Sequence, residues 1–363
     1  MNAILPPARY GMNPISITSK SHAIISGGAG FIGSHLSRRL LESGWRVTIL
    51  TRHIHAPGAA CLAQAGATVI ECDLSSPDRM PGAECLERAD VFYHLAADVS
   101  VGGPTLRETN VGGTQRAAAL AAALNVPYLV FASSIEAQGP GADAEIPLLE
   151  VGACRPVSDY GASKAEAEQV ISQWAGASGR EASILRIGNI YGPGSPWLLQ
   201  PSLMALLGLS PLSHVWPQLR HRLFQPLYID DLIDGMVSAV TKRLTGLYNI
   251  TGEEPVTVEE YLRILAGLLQ MSDRLSLVDT SSTAGGGPVA NIEPDFAYLL
   301  MGEPNRCHRS YDNAKLRRAV GPYARWSLTR GLASTITWFQ RTGRWPILLR
   351  MAQARRDNLC ASL

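Results

Sequence analysis

The sequence predicts an α/β fold with a doubly wound parallel sheet at its centre. Short apolar segments alternate with stretches in which apolar residues recur every three or four positions, the pattern of buried strands separated by amphipathic helices. The strand segments are 23–25, 47–50, 67–70, 91–95, 128–131 and 183–187. Such alternation is typical of parallel sheets with helices on both faces. The 363 residues suffice for one large domain or two linked ones.

A glycine-rich run connects the first strand segment to the first helix. Its glycines, Gly27, Gly30 and Gly33, are spaced three apart. In this context the first permits a tight turn, the second lets backbone approach a phosphate, and the third lets the helix pack closely on the strand. The helix N-terminus adds unpaired N–H groups and a partial positive charge. The run therefore predicts a Rossmann-type site for a dinucleotide pyrophosphate, to which the adjacent Phe31 and Ile32 contribute.

Composition favours a small-molecule substrate over nucleic acid or a membrane. The 32 basic and 31 acidic residues give a net charge of +1, so no overall field attracts polyanions. The six cysteines have no metal-ligand spacing, which predicts reduced thiols, a cytoplasmic location and no metal site. Residues 1–21 lack an apolar signal segment and predict a tail. No later segment has the length and apolarity of a transmembrane helix.

A phenol and an ammonium group occur at helical spacing in the middle of the chain. Tyr160 and Lys164, at i and i+4, are expected on one helix face, downstream of a strand that ends in Ser133 and Ser134. A nearby lysine cation favours the phenolate, so it is expected to lower the pKa of the tyrosine toward neutral. The pair predicts a general acid or base.

These motifs resemble the extended short-chain dehydrogenase/reductase family, which includes nucleotide-sugar epimerases and dehydratases. The resemblance covers residues 22 to 345. Beyond the glycine run and the Tyr160/Lys164 pair, the matching stretches are Asp73, 94–97, 110–114, 133–134, 186–193, 228–231 and 248–252.

The resemblance implies roles for individual residues. Ser134 would hold the reacting hydroxyl or carbonyl group, Tyr160 would exchange its proton, and Lys164 would also bind the nicotinamide ribose. Asp73 would contact the adenine. Further cofactor contacts would come from Leu74, Leu95, Ala96, Ala97, Asn110 and Tyr160.

The cofactor preference follows from the end of the second strand. Related enzymes that use NAD usually carry an acidic residue there, which accepts the ribose hydroxyls. This chain has Thr51 at that position, followed by Arg52. Arg52 can form charge-assisted hydrogen bonds with a 2′-phosphate, or be an exposed side chain without that role. We expect NADP to be preferred, with NAD also possible.

Glu136 is the fourth candidate catalytic residue. In the sugar dehydratases and some decarboxylases that the chain resembles, a glutamate at this position acts as a base beside the serine. The preceding position, where hexose dehydratases often carry an aspartate, is Ile135. Glu136 is therefore either such a base or a solvated loop residue.

The substrate is less sharply indicated. Asn189 resembles the residue that contacts the substrate diphosphate in nucleotide-sugar enzymes, although it could simply cap a turn. The arginine that the resemblance leads us to expect six residues before Asp230 is Phe224, so Arg222 is the candidate replacement for phosphate binding. The stretch 97–110 is also shorter than in typical sugar epimerases. Both departures resemble hydroxysteroid- and flavonol-type reductases, which bind uncharged substrates.

Three functions follow in order of preference. The first is transient oxidation of a sugar carbinol, on a nucleotide sugar, followed by epimerisation or elimination. The second is net NADP-dependent reduction or oxidation of a non-nucleotide ketone or alcohol, and the third is cofactor binding without catalysis. The helices around 106–124 and 160–174 resemble those of the family's dimer bundle, so a homodimer is expected.

The predicted organisation is a Rossmann sheet with a smaller, discontinuous α/β substrate domain. The segments are 1–21 (N-terminal tail), 22–189 (dinucleotide-binding domain, with a returning segment at about 222–251), 190–221 and 252–345 (mainly substrate domain) and 346–363 (C-terminal tail).

Overall fold

The computed structural model describes residues 21–100, 103, 105–195, 198–206, 219–273 and 308–350. Residue 21 is therefore the one described position of the predicted N-terminal tail. Large parts of the predicted substrate domain, at 207–218 and 274–307, and the tail beyond residue 350 lie outside the described residues.

Eleven strands are described. They are β1 (His22–Ser26), β2 (Arg46–Thr51), β3 (Thr68–Glu71), β4 (Val91–His94), β5 (Tyr128–Ser134), β6 (Glu181–Ile187), β7 (Asn189–Tyr191), β8 (Leu223–Phe224), β9 (Pro226–Tyr228), β10 (Gly246–Ile250) and β11 (Val256–Thr257). Seven of them form one sheet in the order β3-β2-β1-β4-β5-β6-β10, and every neighbouring pair is parallel. The predicted doubly wound parallel sheet is confirmed.

Nine α-helices connect and cover these strands. They are α1 (Phe31–Glu42), α2 (Pro57–Gln64), α3 (Gly113–Ala123), α4 (Asp159–Ser178), α5 (Leu199–Leu206), α6 (Ile229–Thr241), α7 (Val258–Leu268), α8 (Ala314–Val320) and α9 (Leu328–Arg341) among the described residues. A π-helical turn, Glu108–Gly112, precedes α3.

The core lies on both faces of the large sheet. Consecutive strand residues point to opposite faces, so Ile25 of β1 and Tyr93 of β4 pack in one apolar cluster while Ile24 and Phe92 pack in the other. All four side chains are fully buried. Burial on both faces explains why these strands read as continuous apolar runs rather than alternating ones.

The order of the strands places the site. Successive strands run outward in one direction from β1 to β3 and in the other from β4 to β6, so β1 and β4 flank the point where the direction of winding reverses. Ligands of such sheets bind outside the carboxyl ends of the strands at this point. Here the glycine run follows β1, and β5 ends at Ser134.

Later chain segments return to this edge of the sheet. Strands β7 and β9 pair in parallel, and β8 pairs with β11. Residues 308–311 form bridges to Gly141 and Leu148. The division into a cofactor domain and a substrate domain stays a prediction. No helix in the described part of the chain has the length and apolarity needed to cross a membrane.

Candidate active site

A cavity of about 480 Å³ opens at the carboxyl ends of β1, β4, β5 and β6. It brings together most of the residues singled out by sequence. Its walls include Gly27, Gly30, Phe31, Ile32, Gly33, Leu95, Ala97, Ser134, Glu136, Tyr160, Lys164 and Asn189. The glycine run and the Tyr160/Lys164 pair, more than a hundred residues apart, therefore face one space.

The glycine run has the geometry of a phosphate-binding turn. Gly27 has φ +70°, and a Cβ there would lie 2.8 Å from the Ala96 backbone nitrogen. At Gly33 a Cβ would lie 2.2 Å from the Gly27 carbonyl oxygen, so the helix can approach the turn this closely only with glycine. Gly30 is the N-cap of α1 and no side chain among the described residues caps that end. The first N–H groups of α1 therefore have no capping side chain among the described residues, and Phe31, Ile32 and Gly33 line the cavity.

The predicted contacts after β4 split into two groups. Leu95 and Ala97 line the cavity, whereas Ala96 packs its backbone against Gly27. Asn110 is buried in the π-helical turn, where its amide accepts from the Asp98 N–H (2.7 Å) and donates to the Asp98 carbonyl and Ser163 (2.9 Å each). Asn110 therefore braces the chain after Ala97 against helix α4.

The predicted adenosine contacts lie beyond the cavity walls. Asp73 follows β3 and Arg52 follows β2, its neighbour in the sheet. Burial would raise the pKa of Asp73, but hydrogen bonds from Ser75 and the charge of Arg52 outweigh it and lower the pKa. The Leu74 side chain is buried, and its carbonyl accepts from Arg116 at 2.5 Å. The proximity of Arg52 to Asp73 puts a cation beside the predicted adenosine position.

Two adjacent serines end β5, and the structure separates their roles. Both serines line the cavity, and the Ser133 hydroxyl donates to the buried Glu168 at 2.6 Å. The Ser134 hydroxyl accepts from the Glu136 N–H at 3.2 Å and is hydrogen-bonded to Tyr160. Ser134 is therefore the serine placed beside the tyrosine.

The electrostatics of Tyr160 and Lys164 differ from expectation. Burial and the Glu136 charge raise the pKa of Tyr160 to about 12, although the Ser134 hydrogen bond opposes them. Burial lowers the pKa of Lys164 to about 7, against the raising effect of Glu168. The Lys164 ammonium lies 4.3 Å from the centre of the Phe131 ring. Lys164 was predicted to lower the pKa of Tyr160, and this prediction is wrong. Burial disfavours the charged form of both side chains, so it raises the pKa of the tyrosine and lowers that of the lysine.

Helix α4 is fixed against the turn that carries Glu136. Its N-cap residue, Ser158, accepts from the Gly161 N–H at 3.0 Å. At Gly161 an added Cβ would lie 2.3 Å from the Glu136 carbonyl oxygen, so the first helical turn packs directly on the Glu136 backbone. This contact determines where Tyr160 lies relative to Glu136.

Glu136 is not a solvated loop residue. Its side chain is 12% exposed and accepts from the Arg309 Nε at 3.0 Å; Ser158 donates to its other oxygen at 3.4 Å. The neighbouring Ile135 is buried in the core. One carboxylate, and not two, therefore stands on this turn at the cavity wall.

The family of this chain follows from its match to a protein-family model. The model of the NAD dependent epimerase/dehydratase family matches residues 23–251, which include the glycine run, Ser134, Tyr160 and Lys164. The chain belongs to the NAD-dependent epimerase/dehydratase family. The resemblance to extended short-chain dehydrogenases/reductases is thereby confirmed.

Relatives within this family carry different activities. The 2-alkyl-3-oxoalkanoate reductase of Shewanella oneidensis is 28% identical over 68% of this chain and 65% of its own length. The UDP-N-acetyl-α-D-glucosaminuronate decarboxylase of Bacillus cytotoxicus is 27% identical over 88% of this chain and 98% of its own. The solved structure of MoeE5 in complex with UDP-glucuronic acid and NAD is 25% identical with a TM-score of 0.68, covering 89% of this chain and 100% of MoeE5.

In this member of the NAD-dependent epimerase/dehydratase family, the structure separates the two remaining predicted substrate contacts, since Asn189 lines the cavity and Arg222 does not. Asn189 begins β7 and lines the cavity. Arg222 precedes β8 and lies near Arg309, whose charge, after burial, lowers the pKa of the Arg222 guanidinium. Phe224 is a core residue that packs edge-on against Tyr261, with ring centres 5.4 Å apart. The expected arginine is therefore absent at a position that here belongs to the core.

Sequence reasoning missed two residues of this family member's site. Ser158 had a detectable signal, since a serine just before a predicted helix is a typical N-cap. Arg309 had none, because it lies 173 residues from Glu136 and in no recognised motif. Tertiary structure alone brings it against Glu136, behind the cavity wall.

Proposed function

We propose that the protein oxidises a carbinol of a nucleotide-linked sugar transiently, changes the resulting ketone by epimerisation or elimination, and reduces it again. The observation that carries this proposal is the grouping of Ser134, Glu136 and Tyr160 on one cavity that is continuous with the glycine run. A hydroxyl, a phenol and a carboxylate suit chemistry in which both an O–H and a neighbouring C–H lose protons. Simple hydride transfer needs no such carboxylate.

The residues present fit a nicotinamide dinucleotide. The turn at Gly27 and the uncapped start of α1 suit its pyrophosphate, and Lys164 would hold the nicotinamide ribose. A bound nicotinamide would supply the hydride acceptor for oxidation of the carbinol and the hydride donor for the final reduction. NAD is bound in the MoeE5 structure.

The side chains of the cavity would handle the protons. Ser134 would orient the sugar hydroxyl, and Tyr160 would take its proton as the carbon is oxidised. The ketone acidifies the adjacent C–H, from which the Glu136 carboxylate would remove a proton. Because no second acid precedes Glu136 at Ile135, epimerisation is favoured over a dehydratase mechanism that needs one.

The finer features of the proposal concern the cofactor and assembly. We infer a preference for NADP from Thr51 and Arg52 at the end of β2, with NAD as the alternative. We also propose a homodimer built on the helices at 106–124 and 160–174, and a cytoplasmic location.

A second function is supported by two observations. The Shewanella relative is a reductase, and Phe224 stands where the phosphate-binding arginine was expected. Net reduction of an uncharged ketone would require only Ser134, Tyr160 and Lys164.

Absorbance of the reduced nicotinamide, followed during turnover, separates the two functions. The panel should contain UDP-glucose, UDP-glucuronic acid and simple 3-oxo compounds. Product formation without stoichiometric cofactor consumption is expected, together with solvent deuterium next to the transient carbonyl. Glu136→Gln should still reduce the cofactor but lose deuterium uptake. Stoichiometric consumption without deuterium uptake would instead support the reductase.

A further inference from the structure

A buried ion pair stands directly behind the cavity wall. The Arg309 side chain is completely buried and donates from Nε to the Glu136 carboxylate at 3.0 Å, while the carboxylate is 12% exposed. Glu136 lines the cavity and Arg309 does not. The carboxylate therefore faces the reaction space, and the guanidinium supports it from the protein side.

The charge of this pair is set by the arginine. A guanidinium does not lose its proton in proteins, so Arg309 carries its charge throughout the working pH range. A buried cation of this kind is costly without an anionic partner, and an opposite charge at this distance favours the ionised carboxylate. The contact therefore ties the Glu136 carboxylate to a charged partner at a fixed position.

The backbone around Arg309 is anchored on both sides. The Arg309 N–H donates to the Leu223 carbonyl at 2.8 Å, and His308 exchanges hydrogen bonds with Gly141. Two residues on, the buried Tyr311 hydroxyl donates to the Gly139 carbonyl at 2.7 Å, at the end of the turn that carries Glu136. Residues 309–311 thus hold both the side chain and the turn of Glu136.

We propose that Arg309 is a positioning residue for the reaction: it holds the Glu136 carboxylate aimed at the carbon next to the oxidised centre. This deepens the proposed function and rests on it, since Glu136 is assigned there as the base. It also makes a C-terminal segment part of the reaction centre.

Several charged or titratable groups act on this site. Tyr160 on α4 and Tyr311 feel the Glu136 charge, and Arg222 before β8 acts on Arg309. Ser158 is a further polar contact of the carboxylate, at 3.4 Å. Arg309, at 3.0 Å, is both closer and charged, so its removal should disturb the carboxylate more than the loss of Ser158.

The test measures two rates in the full-length protein: reduction of the cofactor by the sugar nucleotide, and uptake of solvent deuterium next to the transient carbonyl. In Arg309→Met deuterium uptake should fall by about 10²-fold, because the base is no longer aimed at the C–H, while cofactor reduction is retained. Arg309→Lys should restore most of the uptake. Arg243→Met, which breaks the Arg243–Glu181 pair away from the cavity, should leave both rates unchanged.

A merely structural role for Arg309 predicts a different result. Arg309→Met would then lower cofactor reduction and deuterium uptake by the same factor, and that outcome overturns the proposal. An equal loss of deuterium uptake in Arg309→Met and Arg243→Met would overturn it as well. Failure of the proposed function is seen separately, as absence of deuterium uptake in the wild-type protein with the sugar nucleotides.

Discussion

Arg186 donates two hydrogen bonds, both 2.8 Å long, to the carboxylate of Glu168 behind the active-site cavity. The pair is nearly fully buried, with side chains 3% and 10% exposed. Ser133 donates to the same carboxylate. Glu168 also lies one helical turn after Lys164 on α4, and its charge raises the pKa of that lysine against the effect of burial. This one carboxylate thus links β5, β6 and the helix of Tyr160.

Glu168→Gln should therefore destabilise the protein strongly. The substitution leaves the buried Arg186 cation without its anionic partner, which typically costs about 3–5 kcal/mol. The free energy of unfolding in urea measures the effect. Glu166→Gln is the matched control, because Glu166 also lies on α4 but pairs with the exposed Arg107. This substitution should change the free energy of unfolding by less than about 1 kcal/mol. Equal losses in the two variants would contradict the assignment.

Tyr160→Phe should retain the fold and cofactor binding but lower turnover by about 10²- to 10⁴-fold, the usual contribution of a general acid or base. Turnover with the substrate found in the panel and cofactor titration are the two measurements. Tyr248→Phe serves as control, since that hydroxyl donates to the Thr245 carbonyl outside the cavity. Wild-type turnover in Tyr160→Phe would remove this tyrosine from the mechanism.

Arg52→Ala should weaken NADP binding by roughly tenfold to a hundredfold and leave NAD binding nearly unchanged, because a guanidinium recognises the 2′-phosphate through charge-assisted hydrogen bonds. Fluorescence titration with both cofactors measures this. Arg88→Ala, at an exposed arginine at the opposite end of the sheet, should alter neither affinity. An equal loss for both cofactors would show that Arg52 does not read the phosphate.

Because of His94, the free energy of unfolding should decrease as the pH falls below neutral. His94 is buried between Ser26 (2.7 Å) and Thr114 (3.0 Å), and burial, with the nearby Lys164 charge, lowers its pKa from the ordinary 6.5 to about 3. As pH falls, the unfolded chain takes up this proton first. The contribution of His94 to the free energy of unfolding is therefore complete above pH 6.5 and is lost progressively as the pH falls from 6.5 to about 3.

The loss amounts to about 2 kcal/mol at pH 5. Urea unfolding of wild type and His94→Gln at pH 7.5 and 5.0 should show a smaller difference between the two pH values in the variant. His35, whose pKa burial also lowers, contributes equally to both proteins. Identical pH dependence would contradict the role of His94.

The local pattern of apolar residues and glycines was enough to predict strands of the large sheet and the turn of the glycine run. Strands buried on both faces need apolar residues at consecutive positions, so β1, β2, β4 and β6 could be recognised directly. The apolar signal of strand β5 stops at residue 131, but the strand was predicted to end in Ser133 and Ser134, and it does end at Ser134. The turn at Gly27 was predictable because a positive φ beside tight packing restricts the residue to glycine.

By itself, the sequence determined the family, six of the seven strands of the large sheet and the identity of Ser134, Glu136, Tyr160 and Lys164 as candidates, since these depend on residues close together in the chain. Tertiary structure alone decided the order of the strands and which groups set the charges around the tyrosine. Burial reversed the expected shift in the pKa of Tyr160. The Arg309–Glu136 contact spans 173 residues. Desolvation and ion pairing depend on what surrounds a group in space, and local sequence carries no record of those neighbours.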